Sequence, residues 1–173
     1  SLWIRLVREA ADFMVRFRDP QTRLPLPSYD LWEERWGVHA FTVGSVYGGL
    51  RAAERFADAF GDQRRAQRYR KAAEELREAV GSYLWSDHHG RFVRRIVPLD
   101  HDRTTRLMER AMAGQAPRRS PGEGPGTLRF EYDETLDSAM MGLFRFGMFD
   151  ADDERIEATM EAVGLAKVCS SSV

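Results

Sequence analysis

The sequence predicts an all-α chain. Three observations carry that reading. Apolar residues recur at helical spacing nearly throughout. Breaks rich in glycine and proline separate the periodic runs. A single stretch, "GRFVRRIVP" (90–98), alternates as a strand does. Helices so spaced are expected to pack in antiparallel pairs joined by short and long loops.

Taken in order, Trp3, Leu6, Val7, Ala10, Met14 and Phe17 mark one face of a first helix over 2–18. Pro20, Pro25 and Pro27 then stiffen a loop, because proline fixes φ and removes a donor. Residues 39–60 predict a second helix through Phe41, Val43, Val46, Leu50, Ala53, Phe56, Ala57 and Phe60. Gly44, Gly48 and Gly49 lie inside it. Each glycine costs about 1 kcal/mol against alanine in a helix interior, so three of them imply close packing against neighbours. This helix is apolar on too many sides for the surface of a small bundle. Gly61 closes it and Asp62 caps the next, which is expected to run to about Trp85.

Residues 90–98 predict a short β-hairpin or extended connection. "AGQAPRRSPGEGPGT" (113–127) has no periodicity and is expected to be a mobile surface loop. Helix is expected again over 134–147, through Leu136, Met140, Leu143, Phe144 and Phe146, and from near Asp152 onward. Residues 166–173 carry no amphipathic pattern and form an irregular tail. One domain over 1–165 follows, since 173 residues suffice to bury about 70% of the surface an unfolded chain exposes.

Composition is that of a soluble globular protein: 43% hydrophobic, 31% charged, net charge −1. No run of roughly 18 or more apolar residues is present, so no membrane span is expected. No signal-peptide pattern stands at the N-terminus, although a chain that begins at Ser1 can be cut from a longer one. The single Cys169 cannot form an internal disulfide and suits a reducing, cytoplasmic compartment. Arg64, Arg65, Arg68, Arg70 and Lys71 crowd one segment, but Glu74, Glu75 and Glu78 follow at helical spacing. That makes a solvated helix face rather than a nucleic-acid surface.

The most informative stretch is "LPLPSYDLWEERWGVHAFT" (24–42). Its acid pair, Glu33 and Glu34, could simply begin a helix, where acids gain about 0.3–1 kcal/mol from the dipole. Its neighbours argue otherwise. Tyr29, Trp32 and Trp36 offer flat faces of the kind that stack on sugar rings, and Asp30 adds a polar group. Glycoside hydrolysis needs one carboxylic acid to protonate the leaving oxygen and a second carboxylate, about 6.5–9.5 Å away when the reaction inverts. Adjacent glutamates rarely span a substrate in that way, so at most one member of the pair would join a catalytic couple while the other would bind hydroxyls, and on spacing alone a helix start stays open.

"PSYDLWEE", followed by "GVHAFT" and a helix rich in glycine and alanine, resembles glycoside hydrolase family 15. That family comprises glucoamylases, glucodextranases and related trehalases, and the likeness is strongest to its bacterial and archaeal branch. It continues weakly through "GRFVRRIV" and "YDETLDSAMMGLFRFGMF". The resemblance implies an (α/α)6 barrel, of which this chain would hold about half of the helix pairs, with helix two in the inner ring. It implies an inverting, exo-acting enzyme that releases glucose from α-linked glucans or oligosaccharides. Glu33 would be the general acid and Glu34 a ligand on the leaving-group side. Trp32 and the Leu31 carbonyl would line the glucose pocket, Tyr29 would flank the leaving group, and Asp30 would support the loop. A general acid must hold its proton near working pH, which burial beside Trp32 and the charge of Glu34 would favour.

The family's base is a glutamate farther toward the C-terminus, and no segment here matches it. The resemblance therefore makes this chain a fragment that is inactive alone and self-associates through its exposed barrel face. A parent of the trehalase type would imply phosphate and magnesium, but no residues here suggest a site for either, and no cofactor or metal is expected. Asp150, Asp152, Glu154 and Glu161 imitate a calcium loop, but Arg155 stands where the turn glycine is needed, so Asp150 or Asp152 is expected to cap a helix. His88 and His89 fit an exposed turn, and His39 a packed histidine. Asp133, Glu134 and Asp137 fit capping and surface acids. The competing functional readings are a non-catalytic helical scaffold, disfavoured by the lack of any 34-residue repeat, and a carbohydrate-binding relative whose base is lost.

Overall fold

The computed structural model describes residues 2–30, 32–119 and 127–164. Three long helices dominate: α1 (Leu2–Arg16), α2 (Ala40–Ala59) and α3 (Gln63–Tyr83). They are followed by α4 (His101–Met112), a 3-10 turn over Ser138–Met141 that runs into the single-turn α5 (Gly142–Arg145), and α6 (Glu154–Val163). The chain is helix-rich, as expected. Its strands exceed the single hairpin that the sequence predicts. β1 (Ser28–Tyr29), β2 (Trp36–His39), β5 (Arg95–Pro98) and β6 (Phe130–Asp133) form a four-stranded antiparallel sheet in the order β1-β2-β5-β6. A separate hairpin joins β3 (Trp85–Ser86) to β4 (Arg91–Phe92). "GRFVRRIVP" thus serves two sheets, with Val93 and Arg94 between them.

The helix ends follow local chemistry. Asp62 accepts the Arg65 amide at 3.2 Å and starts α3. Asp100 accepts the Arg103 amide at 2.9 Å and starts α4, a helix the apolar periodicity did not reveal. α6 is capped by Asp153, whose carboxylate takes the Arg155 amide at 3.0 Å, rather than by Asp150 or Asp152. Gly164, in the left-handed region at φ 77°, closes it. The helix expected over 134–147 shrinks to 138–145, because residues 130–133 pair with β5 and Asp137 caps the 3-10 turn through the Ala139 amide at 2.8 Å. On α1 the buried stripe is rotated from the expected one. Ala11 is buried with Val7 and Met14 against it, while Leu6 and Ala10 are exposed.

α2 is the central element. Val43, Leu50, Ala53 and Ala57 are buried, and none of residues 40–50 is exposed. One apolar core lies among α1, α2 and α3 around Leu50, Tyr69 and Ala73. A second gathers Val38, Val43, Leu76, Phe92, Ile96, Met140, Leu143 and Ile156 between the sheet, α2, α3 and the C-terminal helices. The close packing read from the glycines is strongest at Gly44. A Cβ there would stand 2.4 Å from the Gly142 carbonyl oxygen, and one on Gly142 would stand 2.8 Å from the Phe41 Cα.

The expected tail (166–173) and residues 120–126 of the expected mobile loop (113–127) lie outside the described residues, while 113–119 are mostly exposed and form no helix or strand. No described helix is long and apolar enough to cross a membrane.

Substituting the glycines tests the packing. Gly44→Ala must push backbone from backbone and is expected to cost about 1–3 kcal/mol in denaturant melts. Gly81→Ala, in α3, meets only the flexible tip of Arg155 at 3.2 Å and is expected to be neutral or to gain up to about 1 kcal/mol.

Candidate functional site

The two glutamates do not begin a helix. They lie in the turn that joins β1 to β2, with α2 starting only at Ala40. Strand pairing of Ser28 with Gly37 and Tyr29 with Trp36 brackets the turn. Asp30 builds its interior. Its carboxylate Oδ1 accepts the amides of Glu34 at 2.9 Å and Trp32 at 3.2 Å, with a longer contact to that of Arg35 at 3.4 Å. The Asp30 amide donates to the Arg35 carbonyl at 2.9 Å, and the Glu33 amide to the Asp30 carbonyl at 3.0 Å. These backbone donors, that of Glu34 first, hold the Asp30 carboxyl below its ordinary range.

Glu33 sits at φ 57°, in the left-handed region. A side chain there costs roughly 1–2 kcal/mol and persists only where the surroundings fix it. The ring of hydrogen bonds to Asp30 supplies that fixation. His39 adds to it from β2: it is 6% exposed and its Nε2–H donates to the same Arg35 carbonyl at 2.9 Å. Burial lowers its pKa, so the imidazole is neutral near pH 7. The packed, hydrogen-bonded role expected of this histidine is the one it has.

Trp32 is 81% exposed and Tyr29 61% exposed, an unusual state for two large aromatics beside an acid pair. Glu33 and Glu34 are exposed as well. This corrects one expectation, since the described residues do not bury Glu33 against Trp32. Arg35 stands 3.8 Å from Glu34 and 3.9 Å from Asp30, loose surface pairs that contribute little. Leu31 lies outside the described residues.

A cleft of about 300 Å³ opens beneath this turn. Asp30, Trp32 and Arg35 line it from the turn, and His39, Phe41 and Thr42 from β2 and α2. Arg94, Asp137, Ser138 and Ala139 line the remainder. Sequence reasoning singled out Asp137 only as a capping or surface acid and missed the other three. Nothing about Arg94 in an "RR" pair, or about Ser138, signals a cleft until the sheet and the 3-10 turn bring them to residues 30–42.

The three downstream acids have partners. Glu134 meets His89 Nε2 at 2.6 Å. Asp137 caps the 3-10 turn and takes Arg94 Nη1 at 3.2 Å. Asp133 is more than a surface acid. Its side chain is 11% exposed and meets Arg94 at 2.5 Å and Arg95 at 3.2 Å. Burial alone would raise its pKa, but hydrogen bonds from Arg94 and Thr135 outweigh burial and hold it at about 2. On the basic face of α3, Arg65 and Arg68 pair with Asp62 and Asp12, and Arg70 with Glu54. Among the described residues, no group of three or more His, Cys, Asp or Glu side chains is placed to hold a metal ion.

A family model described as glycosyl hydrolases family 15 matches residues 21–166. An uncharacterized glycosyl hydrolase of Methanocaldococcus jannaschii is 29% identical over 138 residues, 79% of this chain and 17% of that protein. A protein named glucoamylase from a Clostridium species is 23% identical over 167 residues, 94% of this chain and 21% of that protein. The chain thus spans about a fifth of the length of these curated relatives.

Two outcomes are expected from the site's hydrogen bonding. Asp30→Ala should speed amide exchange at Trp32, Glu34 and Arg35 while leaving α3 unchanged, as followed by residue-resolved exchange. Asp133, depressed in the fold, stabilises fully above pH about 4, and that contribution is lost as pH falls toward about 2. Asp133→Asn should therefore lower stability at neutral pH and flatten the acid limb of a pH-stability curve.

Proposed function

The chain belongs to family 15 of the glycosyl hydrolases, and on that premise we propose that it carries the general acid of an inverting, exo-acting glycosidase. The substrate would be an α-linked glucan or glucose-containing oligosaccharide, with glucose as the product. Glu33 donates its proton to the departing glycosidic oxygen. A carboxylate base outside these 173 residues activates the attacking water from the opposite side.

One observation carries this reading. Glu33 occupies a left-handed position that suits glycine better, on a turn fixed by Asp30, next to a tryptophan left 81% exposed. A merely structural turn gains nothing from a strained glutamate and an unburied indole. A sugar site uses both, the indole as a stacking face and the acid as a fixed donor. The remaining roles are those the family resemblance implies. Trp32 and the Leu31 carbonyl would border the glucose, Glu34 and Tyr29 would meet the leaving group, and Asp30 would hold the loop. Desolvation of Glu33 must come from bound sugar or from segments beyond this chain, since the described residues leave it open.

The same premise makes residues 1–165 a part of an (α/α)6 barrel with α2 as an inner helix. Support for this comes from the burial of α2 against α1, α3 and α5. The exposed apolar side chains Leu136 and Phe144 would then meet the rest of the parent, or a second copy when the rest is missing.

In the intact parent, Glu33→Gln is expected to lower turnover of maltose by about 10²–10⁴-fold with substrate binding largely kept. Steady-state kinetics and calorimetric binding check this together. Activity within about tenfold of the parent protein would remove Glu33 from the acid role. Binding without turnover in the parent protein itself would favour the carbohydrate-binding relative.

A further inference from the structure

The cleft has a second side that neither the sequence motif nor the family match assigns. It is built from Arg94, between β4 and β5, and from Asp137 and Ser138 at the start of the 3-10 turn. Arg94 is 13% exposed and gripped by two carboxylates, with Nη2 on Asp133 and Nη1 on Asp137. A guanidinium carries five N–H donors. Those two bonds fix its plane and leave a further N–H on each terminal nitrogen. Asp137 Oδ1 accepts the Ala139 amide and Oδ2 accepts from Arg94. A carboxylate has about four lone-pair sites, so both oxygens can accept once more. Donor and acceptor thus stand 3.2 Å apart on rigid partners, and the exposed Ser138 hydroxyl beside them can do either.

Adjacent hydroxyls of a sugar ring ask for this arrangement, one hydroxyl donating and its neighbour accepting. Charge agrees with that ligand. Asp30 and Asp137 balance Arg35 and Arg94 in the lining, and His39 is neutral near pH 7. A balanced lining gives no preference for phosphate or carboxylate. We propose that Arg94, Asp137 and Ser138 form a second sugar-contacting side of the cleft, holding vicinal hydroxyls of a neutral glycosyl unit while Trp32 offers its apolar face. The proposal rests on the glycosidase reading and adds to it a binding surface from a distant part of the chain.

Amide exchange of the Glu33→Gln variant of the intact protein, with and without maltotriose, tests it. Slowed exchange at both 32–35 and 137–139 is the expected result. Slowing at 32–35 alone would overturn the second side and leave the glycosidase reading standing. No slowing anywhere, with no hydrolysis by the parent protein, would overturn both. Kinetics of Ser138→Trp in the intact parent give an independent check, because the indole would fill the space and block hydroxyl contacts. The KM for maltotriose should rise by about tenfold, the equivalent of one lost hydrogen bond, with a smaller fall in kcat and an unchanged melting temperature. A KM within about twofold of the parent value would overturn the proposal.

Discussion

Gly142 lies against the first two turns of α2 so closely that neither it nor Gly44 has room for a Cβ. Much else depends on that contact. It brings the 3-10 turn and α5 onto the helix and lets Met140 and Leu143 complete the core around Val43. It also sets residues 137–139 beside the start of α2, where they become one side of the cleft. A backbone contact of this kind is unforgiving, because peptide groups cannot change rotamer as side chains can. The same contact explains why α2 tolerates glycine at a position where intrinsic propensity argues against it.

Polar groups do the rest of the positioning. Asp30 replaces missing strand pairing inside the β1–β2 turn by accepting backbone amides, and His39 secures the far end of that turn through the Arg35 carbonyl. Arg94 joins β6 to the 3-10 turn through Asp133 and Asp137. Breaking one partner of such a buried network costs more than the network contributes in isolation, since it strands the other charge. Asp19 plays a comparable part for the proline-rich loop. It accepts the amides of Gln21 and Thr22 and takes both terminal nitrogens of Arg103 from α4. That clamp holds Leu24 and Leu26 in apolar surroundings ahead of the site.

Site and scaffold therefore differ in character. Leu50, Leu76, Phe92 and Leu143 of the scaffold are buried in its two main cores. Trp32, Glu33 and Glu34 above the cleft are exposed, on a turn that is rigid in its backbone but open to solvent. A hydrogen-bonded backbone under exposed side chains is the arrangement the proposed acid role would use, since it fixes orientation in advance of binding.

The sequence by itself determined the long helices, because α1, α2 and α3 each carry enough apolar residues at period 3.6 to declare themselves. It determined Asp62 as a cap, the crowding around the α2 glycines and the family, whose motif lies in contiguous residues 27–34. Tertiary structure decided the remainder. Strands of two to four residues are too short for alternation to register, and the pairing of β2 with β5 joins residues nearly sixty positions apart. α4 escaped notice because its buried positions include Arg103 and Thr104, which carry no apolar signal. The sequence offered Asp150 or Asp152 as the cap, whereas the turn geometry makes it Asp153. The family motif of residues 27–34 was legible because it is local in the chain. Arg94, Asp137 and Ser138 were not, since a cleft formed by long-range packing leaves no spacing in the sequence that contributes to it.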